Sequence, residues 1–328
     1  MKLLFFGAGV INTLYAWALT EAGNDVTMYV RPGKEKDWAD GILLDIISER
    51  FNKKKYVRQK FTPKVVTSFK PEDSYDLIIE SVKHYQTREI LPVIAQNAGN
   101  ALVLFFNNSW DSLDFINEYL PRTRYILGMP RAGGAIENGV LDGAITENVI
   151  LGESTCGKPD SAEVNQIAKT NLDTTAEMFA AAGIKPVIQP NMEHWYWAHL
   201  ASTVPWISGG AKARGFLPFA KNSKAIGEAL EVGKECLEIL KARGVDVTQI
   251  QDLKMFLAPV WLSTFMTKLF IGSEVSVKIS SGHGAYAPAE LQKIFYDVLN
   301  TGKQLGVPTA KLDAFKPYID EMNAVINK

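Results

Sequence analysis

Apolar and polar positions are distributed differently in the two halves of this chain. It opens on an apolar run, Leu3-Leu4-Phe5-Phe6, which enters Gly7-Ala8-Gly9. Behind it, Val10-Ile11-Asn12 leads into Thr13-Leu14-Tyr15-Ala16-Trp17-Ala18-Leu19, with apolar residues on one helical face. The pattern predicts strand, tight turn and helix. Further runs with little alternation predict buried strands at Asp25–Val30, Lys64–Thr67, Tyr75–Val82, Ala101–Phe106, Tyr125–Gly128, Val149–Gly152 and Lys185–Ile188. Asp37 to Arg50 mixes polar and apolar residues and predicts a helix, as does Ile90 to Gln96. Gly133-Gly134-Ala135 and Asn138-Gly139 predict turns, the second a hairpin. Strands separated by helices predict an α/β fold with a doubly wound parallel sheet covered on both faces.

From Asn191 onward the strand runs stop. Helical patterns span Met192 to Gly209, Lys224 to Gly244, Ile250 to Leu269 and Ala289 to Gly306. The expected division is therefore 1–190 and an all-helical 191–328. Within the second part, the glycine- and serine-rich stretch Ile279 to Ala285 predicts a loop, suited to a lid or a partner contact.

Composition narrows the function classes. The 328 residues are 47% hydrophobic and 22% charged, with net charge -1, an ordinary globular balance. No global basic field favours nucleic acid or a membrane surface. Lys53-Lys54-Lys55 reads as a solvated loop. No apolar run suffices for a membrane span. Two cysteines, Cys156 and Cys236, without metal spacing, lead us to expect a reducing, cytoplasmic compartment and no metal site.

The candidate chemistry starts at the first turn. Backbone N–H groups at a helix N-terminus suit a pyrophosphate. Gly7 permits the sharp turn, and Gly9 allows close approach of the backbone to phosphate. The third position of such fingerprints is usually small; here it is Asn12. Where a binder of NAD carries an acid after the second strand, this chain has Arg31. A guanidinium there can pair with a 2′-phosphate, so NADPH is expected rather than NADH. Arg31, Lys83 and Asn108 all follow predicted strands, at the carboxyl ends where such sheets bind ligands.

Taken together, Gly7-Ala8-Gly9-Val10-Ile11, Arg31, Val82-Lys83-His84-Tyr85-Gln86-Thr87, Asn107-Asn108-Ser109, Asn138-Gly139-Val140, Leu151-Gly152-Glu153, Trp197-Ala198-His199-Leu200-Ala201, Glu290-Leu291 and Gly306-Val307-Pro308-Thr309 resemble the ketopantoate reductases, within the 6-phosphogluconate-dehydrogenase-like group. The resemblance runs over nearly the whole chain. It implies a Rossmann-type N-terminal domain, a helical C-terminal domain, and hydride transfer from NADPH to a 2-oxo acid in an interdomain cleft. It also implies that Gly7 to Asn12, Arg31, Lys83, Gln86, Asn108, Ala135 and Glu290 serve the cofactor, and Asn108, His199 and Thr203 the substrate. A small-molecule substrate and a possible homodimer complete the expectation.

The departures from the family pattern carry their own reading. The family's Trp-x-Lys-Leu is Trp197-Ala198-His199-Leu200 here, and the Asn one turn later is Thr203. Ketone reduction needs a proton at oxygen, and histidine donates near neutral pH with little tuning. His199 is thus the candidate general acid, Glu290 its partner, and Asn108 the residue that positions substrate. Trp195, Trp197 and Trp206 suggest a bulkier, more apolar substrate. Two rivals remain at this point: an opine-like imine-reducing dehydrogenase, and a non-catalytic NADPH-binding sensor.

Overall fold

The computed structural model describes residues 1–83, 86–271, 273–279 and 288–326. His84, Tyr85, His283 and nearly all of the glycine- and serine-rich stretch lie outside the described residues. The chain forms two compact units, Met1–Glu193 and His194–Lys328.

The first unit is built on strand β1 (Lys2–Phe6), flanked by β2 (Asp25–Tyr29) and β6 (Leu77–Glu80), both parallel to it. With β5 (Lys64–Val66), β7 (Leu102–Phe106) and β8 (Tyr125–Glu137), the order is β5-β2-β1-β6-β7-β8, all parallel. The order reverses direction at β1. In a doubly wound sheet that reversal opens a crevice at the carboxyl ends of β1 and its neighbour. Helix α1 (Val10–Glu21) returns the chain from β1 to β2, α2 (Thr87–Asn97) lies between β6 and β7, and α3 (Ala162–Ala181) precedes the last strand of the unit. Seven consecutive residues of α1, Thr13 to Leu19, are buried, so α1 is a core helix apolar on nearly every side. Tyr15 is fully buried with its ring edge-on to Phe106 and Phe179, 5.0 and 5.8 Å between centroids.

Beyond β8 the sheet becomes mixed. The hairpin turn Asn138-Gly139, both residues with positive φ, joins β8 to the antiparallel β9 (Val140–Glu153). β9 then pairs with β3 (Ile42–Ser48) along residues 140–145 and with β10 (Lys185–Ile188) along 148–151. β4 (Lys55–Phe61) closes that edge.

Three sequence expectations are corrected here. Asp37–Arg50 is not a helix: Ile42, Leu44 and Ile46 are buried at alternate positions, the period of a strand facing a core. Gly133-Gly134-Ala135 is not a turn but the middle of β8. Glycine serves close approach there, since a Cβ on Gly134 would stand 2.2 Å from the Asp142 carbonyl oxygen. The stretch from Ile250 to Leu269 is not one helix. Pro259 forces Ala258 into an extended conformation, which separates α7 (Lys254–Leu257) from α8 (Val260–Ile271).

The regular elements among the described residues of the second unit are all helices. They comprise most of α4 (Met192–Lys212), α5 (Phe216–Lys221), α6 (Ser223–Ala242), α7, α8, the short α9 (274–279), α10 (Pro288–Gln304) and α11 (Ala310–Ile326). Central α6 buries Ile226, Leu230, Gly233, Leu237 and Leu240 among others, and packs on α7, α8, α10 and α11. Its start is capped by the Asn222 side chain, which accepts from the Lys224 and Ala225 amides at 3.1 Å.

Candidate active site

The turn between β1 and α1 is shaped for an anion. Gly7 takes φ +102, and Gly9 stands at the helix N-cap. A Cβ added at Gly9 would meet no protein atom within 4 Å, so the space outside this turn is open. The first-turn amides of α1 have no helical acceptors, and the helix dipole adds partial positive charge at the same place. Asn12 has a different part from the one its position suggested. Its side chain is buried inside the turn, and its Nδ2 donates to the carbonyls of Phe6 (3.0 Å) and Gly7 (2.9 Å). It braces the strand end against the helix.

Arg31 follows β2 and is exposed. It opens the turn Arg31-Pro32-Gly33-Lys34, closed by Lys34 N–H donating to the Arg31 carbonyl at 3.0 Å. Proline at the second position and glycine with φ +86 at the third are the residues a type II turn requires. Lys34 also faces Asp37 at 3.2 Å, an exposed pair of little energetic weight.

The ends of β6 and β7 meet through a residue that the sequence reading passed over. Glu80, the last residue of β6, is fully buried. Its Oε1 accepts from the Val82 amide (2.7 Å) and its Oε2 from Asn107 Nδ2 (2.8 Å). Asn107 Nδ2 also donates to the Thr87 hydroxyl at 2.9 Å. Loss of hydration outweighs those hydrogen bonds and pushes the Glu80 carboxyl up to about 8. Two signals pointed to it: an acid inside the unalternating run Leu77-Ile78-Ile79-Glu80, and an amide ending the next strand. Lys83 and Gln86, both exposed, lie on the segment that follows, where the Gln86 amide donates to the Lys83 carbonyl at 2.7 Å. Asn108 is half-buried beyond β7.

The sheet therefore brings Gly7 to Asn12, Arg31, Lys83 and Asn108 to the carboxyl ends of neighbouring strands β1, β2, β6 and β7. Ala135 is placed differently. It lies within β8 beyond an irregularity at Pro130–Ala132, paired with Asp142 of β9. Among the described residues no cluster of side chains suits a metal ion.

In the second unit, His199 is half-buried on α4. The ring of Trp195, one turn earlier, lies parallel to the imidazole, 5.2 Å between centroids and 7° between planes. Thr203, one turn later, is half-buried and donates its hydroxyl proton to the Leu200 carbonyl at 2.7 Å. That hydroxyl keeps acceptor capacity but has spent its proton. Trp197 is a packing residue, buried with the Arg243 guanidinium 3.6 Å from its ring centre. Glu290 stands in the first turn of α10, half-buried.

Residues 3–154 match the sequence model of the family described as ketopantoate reductase PanE/ApbA. Over those residues the chain is similar to the ketopantoate reductases. A 2-dehydropantoate 2-reductase of Pyrococcus abyssi (strain GE5 / Orsay) is 25% identical over 254 residues, 75% of this chain and 76% of that protein. A 2-dehydropantoate 2-reductase structure from Geobacter metallireducens GS-15 superposes with a TM-score of 0.70 at 17% identity, covering 98% of this chain and 99% of the other. A D-mandelate dehydrogenase, solved with NADH and anilino(oxo)acetate, gives 0.67 at 15% identity, covering 100% and 99%. At such identities the two structures speak for the fold. The comparisons support an oxidoreductase acting on a CH–OH/C=O pair.

Proposed function

We propose that the chain is an NADPH-dependent reductase of a 2-oxo acid or a closely related carbonyl. The observation that carries this reading is the open turn at Gly9, at the point where the strand order reverses, with Arg31 on the turn after the next strand. The donors present fit the nucleotide. The α1 amides suit its pyrophosphate, and the Arg31 fork suits a 2′-phosphate and no ribose hydroxyl acceptor. When bound, NADPH supplies the hydride. Lys83 and Gln86 line the cofactor in this reading, and Asn108 orients the substrate carbonyl. His199 donates the proton to the carbonyl oxygen, with its ring held flat by Trp195. Glu290 partners His199, and Thr203 contributes a hydroxyl acceptor to substrate.

The test is NADPH consumption with ketopantoate and with bulkier 2-oxo acids, each with and without added amines. General acid–base catalysis contributes about 10²–10⁴ in rate, so His199→Ala should lower turnover at least about a hundredfold while leaving NADPH affinity within about twofold. Unchanged turnover removes His199 from the chemistry. Turnover that demands an amine replaces this reading with the imine one, and bound NADPH without turnover replaces it with the sensor. Exposed Trp261, Phe265 and Met266 along α8 support a homodimer, which sedimentation velocity of the whole chain decides.

A further inference from the structure

Glu80 is a buried acid in the first unit that the nucleotide reading has not yet used. It is a carboxyl with no solvent exposure, in a strand whose other residues are apolar. Its register partners are Phe6 on β1 and Phe105 on β7. An apolar side chain would fill this position without the cost of dehydrating a carboxyl, which is several kcal/mol for an ion. What the carboxyl adds is two hydrogen bonds, and both lie just beyond the end of the sheet. The β1–β6 ladder stops at Phe6↔Glu80, and the β6–β7 ladder ends at Glu80↔Phe105. The Val82 amide and the Asn107 side chain are the next groups out on β6 and β7, and Glu80 holds both. Asn107 passes the tie to Thr87, the first residue of α2. Lys83 thus follows Val82, which this carboxyl holds directly, and precedes Thr87, which it reaches through Asn107.

We propose that Glu80 is a positioning residue of the nucleotide site: its carboxyl fixes the Val82 amide and the Asn107 side chain together, and so sets the backbone that presents Lys83 and Asn108. This rests on the reading of the first unit as an NADPH site. The polarity of the node matters to it. Asn107 Nδ2 spends both of its protons, on Glu80 and on Thr87, so the partner at position 80 must accept. The groups facing the carboxyl are the Val82 amide and the Asn107 amide, with Phe6 and Phe105 beside it in the sheet. Among the described residues, no charged side chain contributes to its shift.

The test exchanges donor and acceptor. Asn107→Asp sets two carboxyls against each other. Glu80→Gln sets two amides against each other unless Asn107 turns over. The double variant Glu80→Gln/Asn107→Asp restores one donor facing one acceptor. NADPH affinity is read by fluorescence titration at pH 6 and pH 9, and backbone hydrogen exchange across residues 81–86 is read without nucleotide. Two carboxyls can share a proton at pH 6, and they repel as rising pH takes that proton away. Asn107→Asp should therefore bind NADPH near the wild-type affinity at pH 6 and at least about tenfold more weakly than wild type at pH 9, a loss equivalent to one charge-assisted hydrogen bond. The double variant should return to within about threefold of wild type at both pH values, and the exchange of 81–86 should follow the same order. A double variant no better than the worse single variant overturns the proposal, as does an Asn107→Asp protein whose affinity does not change with pH relative to wild type. If the wild-type protein binds no NADPH, the nucleotide reading fails. The exchange arm still decides the tie, because unchanged protection of 81–86 in Asn107→Asp at pH 9 refutes it.

Discussion

Replacing Asn12 with alanine tests how the nucleotide turn is held. The side chain is 1% exposed, and its amide donates to the Phe6 and Gly7 carbonyls at 3.0 and 2.9 Å. Removing the donor leaves two carbonyls at the strand end without it, each worth about 1–3 kcal/mol if no water replaces the bond. Two terms act in the opposite direction. Asn12 Oδ1 is buried with no hydrogen-bond partner, and deleting it relieves about 1–2 kcal/mol. Alanine also suits the first turn of a helix better than asparagine, by about 0.5 kcal/mol. The net loss should be about 1–3 kcal/mol. Urea unfolding followed by near-ultraviolet circular dichroism measures it, with Asn12→Asp as the deciding comparison. Aspartate keeps the shape but turns an acceptor toward two acceptors, so it should be less stable than the alanine variant by a further 1 kcal/mol or about that. If Asn12→Asp is as stable as Asn12→Ala, the amide is not the brace described above, and the reasoning fails.

Two further predictions concern charge. Arg31→Ala should weaken NADPH about tenfold or more and leave NADH nearly unchanged, because a charge-assisted contact to a 2′-phosphate is worth about 1.5–3 kcal/mol; equal losses for both nucleotides in fluorescence titrations would assign Arg31 no part in the choice. Glu80 should make the protein less stable as pH rises: its native carboxyl is raised from 4.5 to about 8, so its contribution is full below pH 4.5 and is lost by pH 8. At about 1.4 kcal/mol per tenfold change in proton affinity, the loss is about 3–5 kcal/mol, and Glu80→Gln should remove that slope in urea unfolding at pH 5 and pH 8; parallel slopes in the two proteins would contradict the burial argument.

The unalternating runs at β1, β2, β6 and β7 were legible because a strand covered on both faces needs apolar residues at every position. The strand ends that carry Arg31, Lys83 and Asn108 followed from those runs. β3 was misread because Asp37, Asp40, Asp45 and Glu49 dilute the window, while the decisive alternation occupies only Ile42, Leu44 and Ile46. The brace made by Asn12 looked like a flaw in a glycine pattern, since hydrogen bonds to backbone carbonyls leave no mark in a motif. The Glu80–Asn107 tie joins residues 27 apart in the chain and depends on the register of β6 against β7, which no local pattern specifies. Ala135, a position carried over from a family pattern, lies within a long strand that the local sequence did not announce.

The double use of β9 has a consequence for how the chain is made. Strand β3 is complete at residue 48, yet its inner neighbour, residues 140–145 of β9, lies almost a hundred residues further on. Until those residues have left the ribosome, the β3–β4 hairpin has one open edge, lined by Ile42, Leu44, Ile46 and Ile47. A contact of such long range forms slowly, and an unpaired apolar strand is a template for association. Residues 49–139 are thus also an interval of exposure, in which the nascent protein is most open to aggregation and to chaperones. The Asn138-Gly139 turn ends it by folding β9 back onto β8 and offering its other edge to β3.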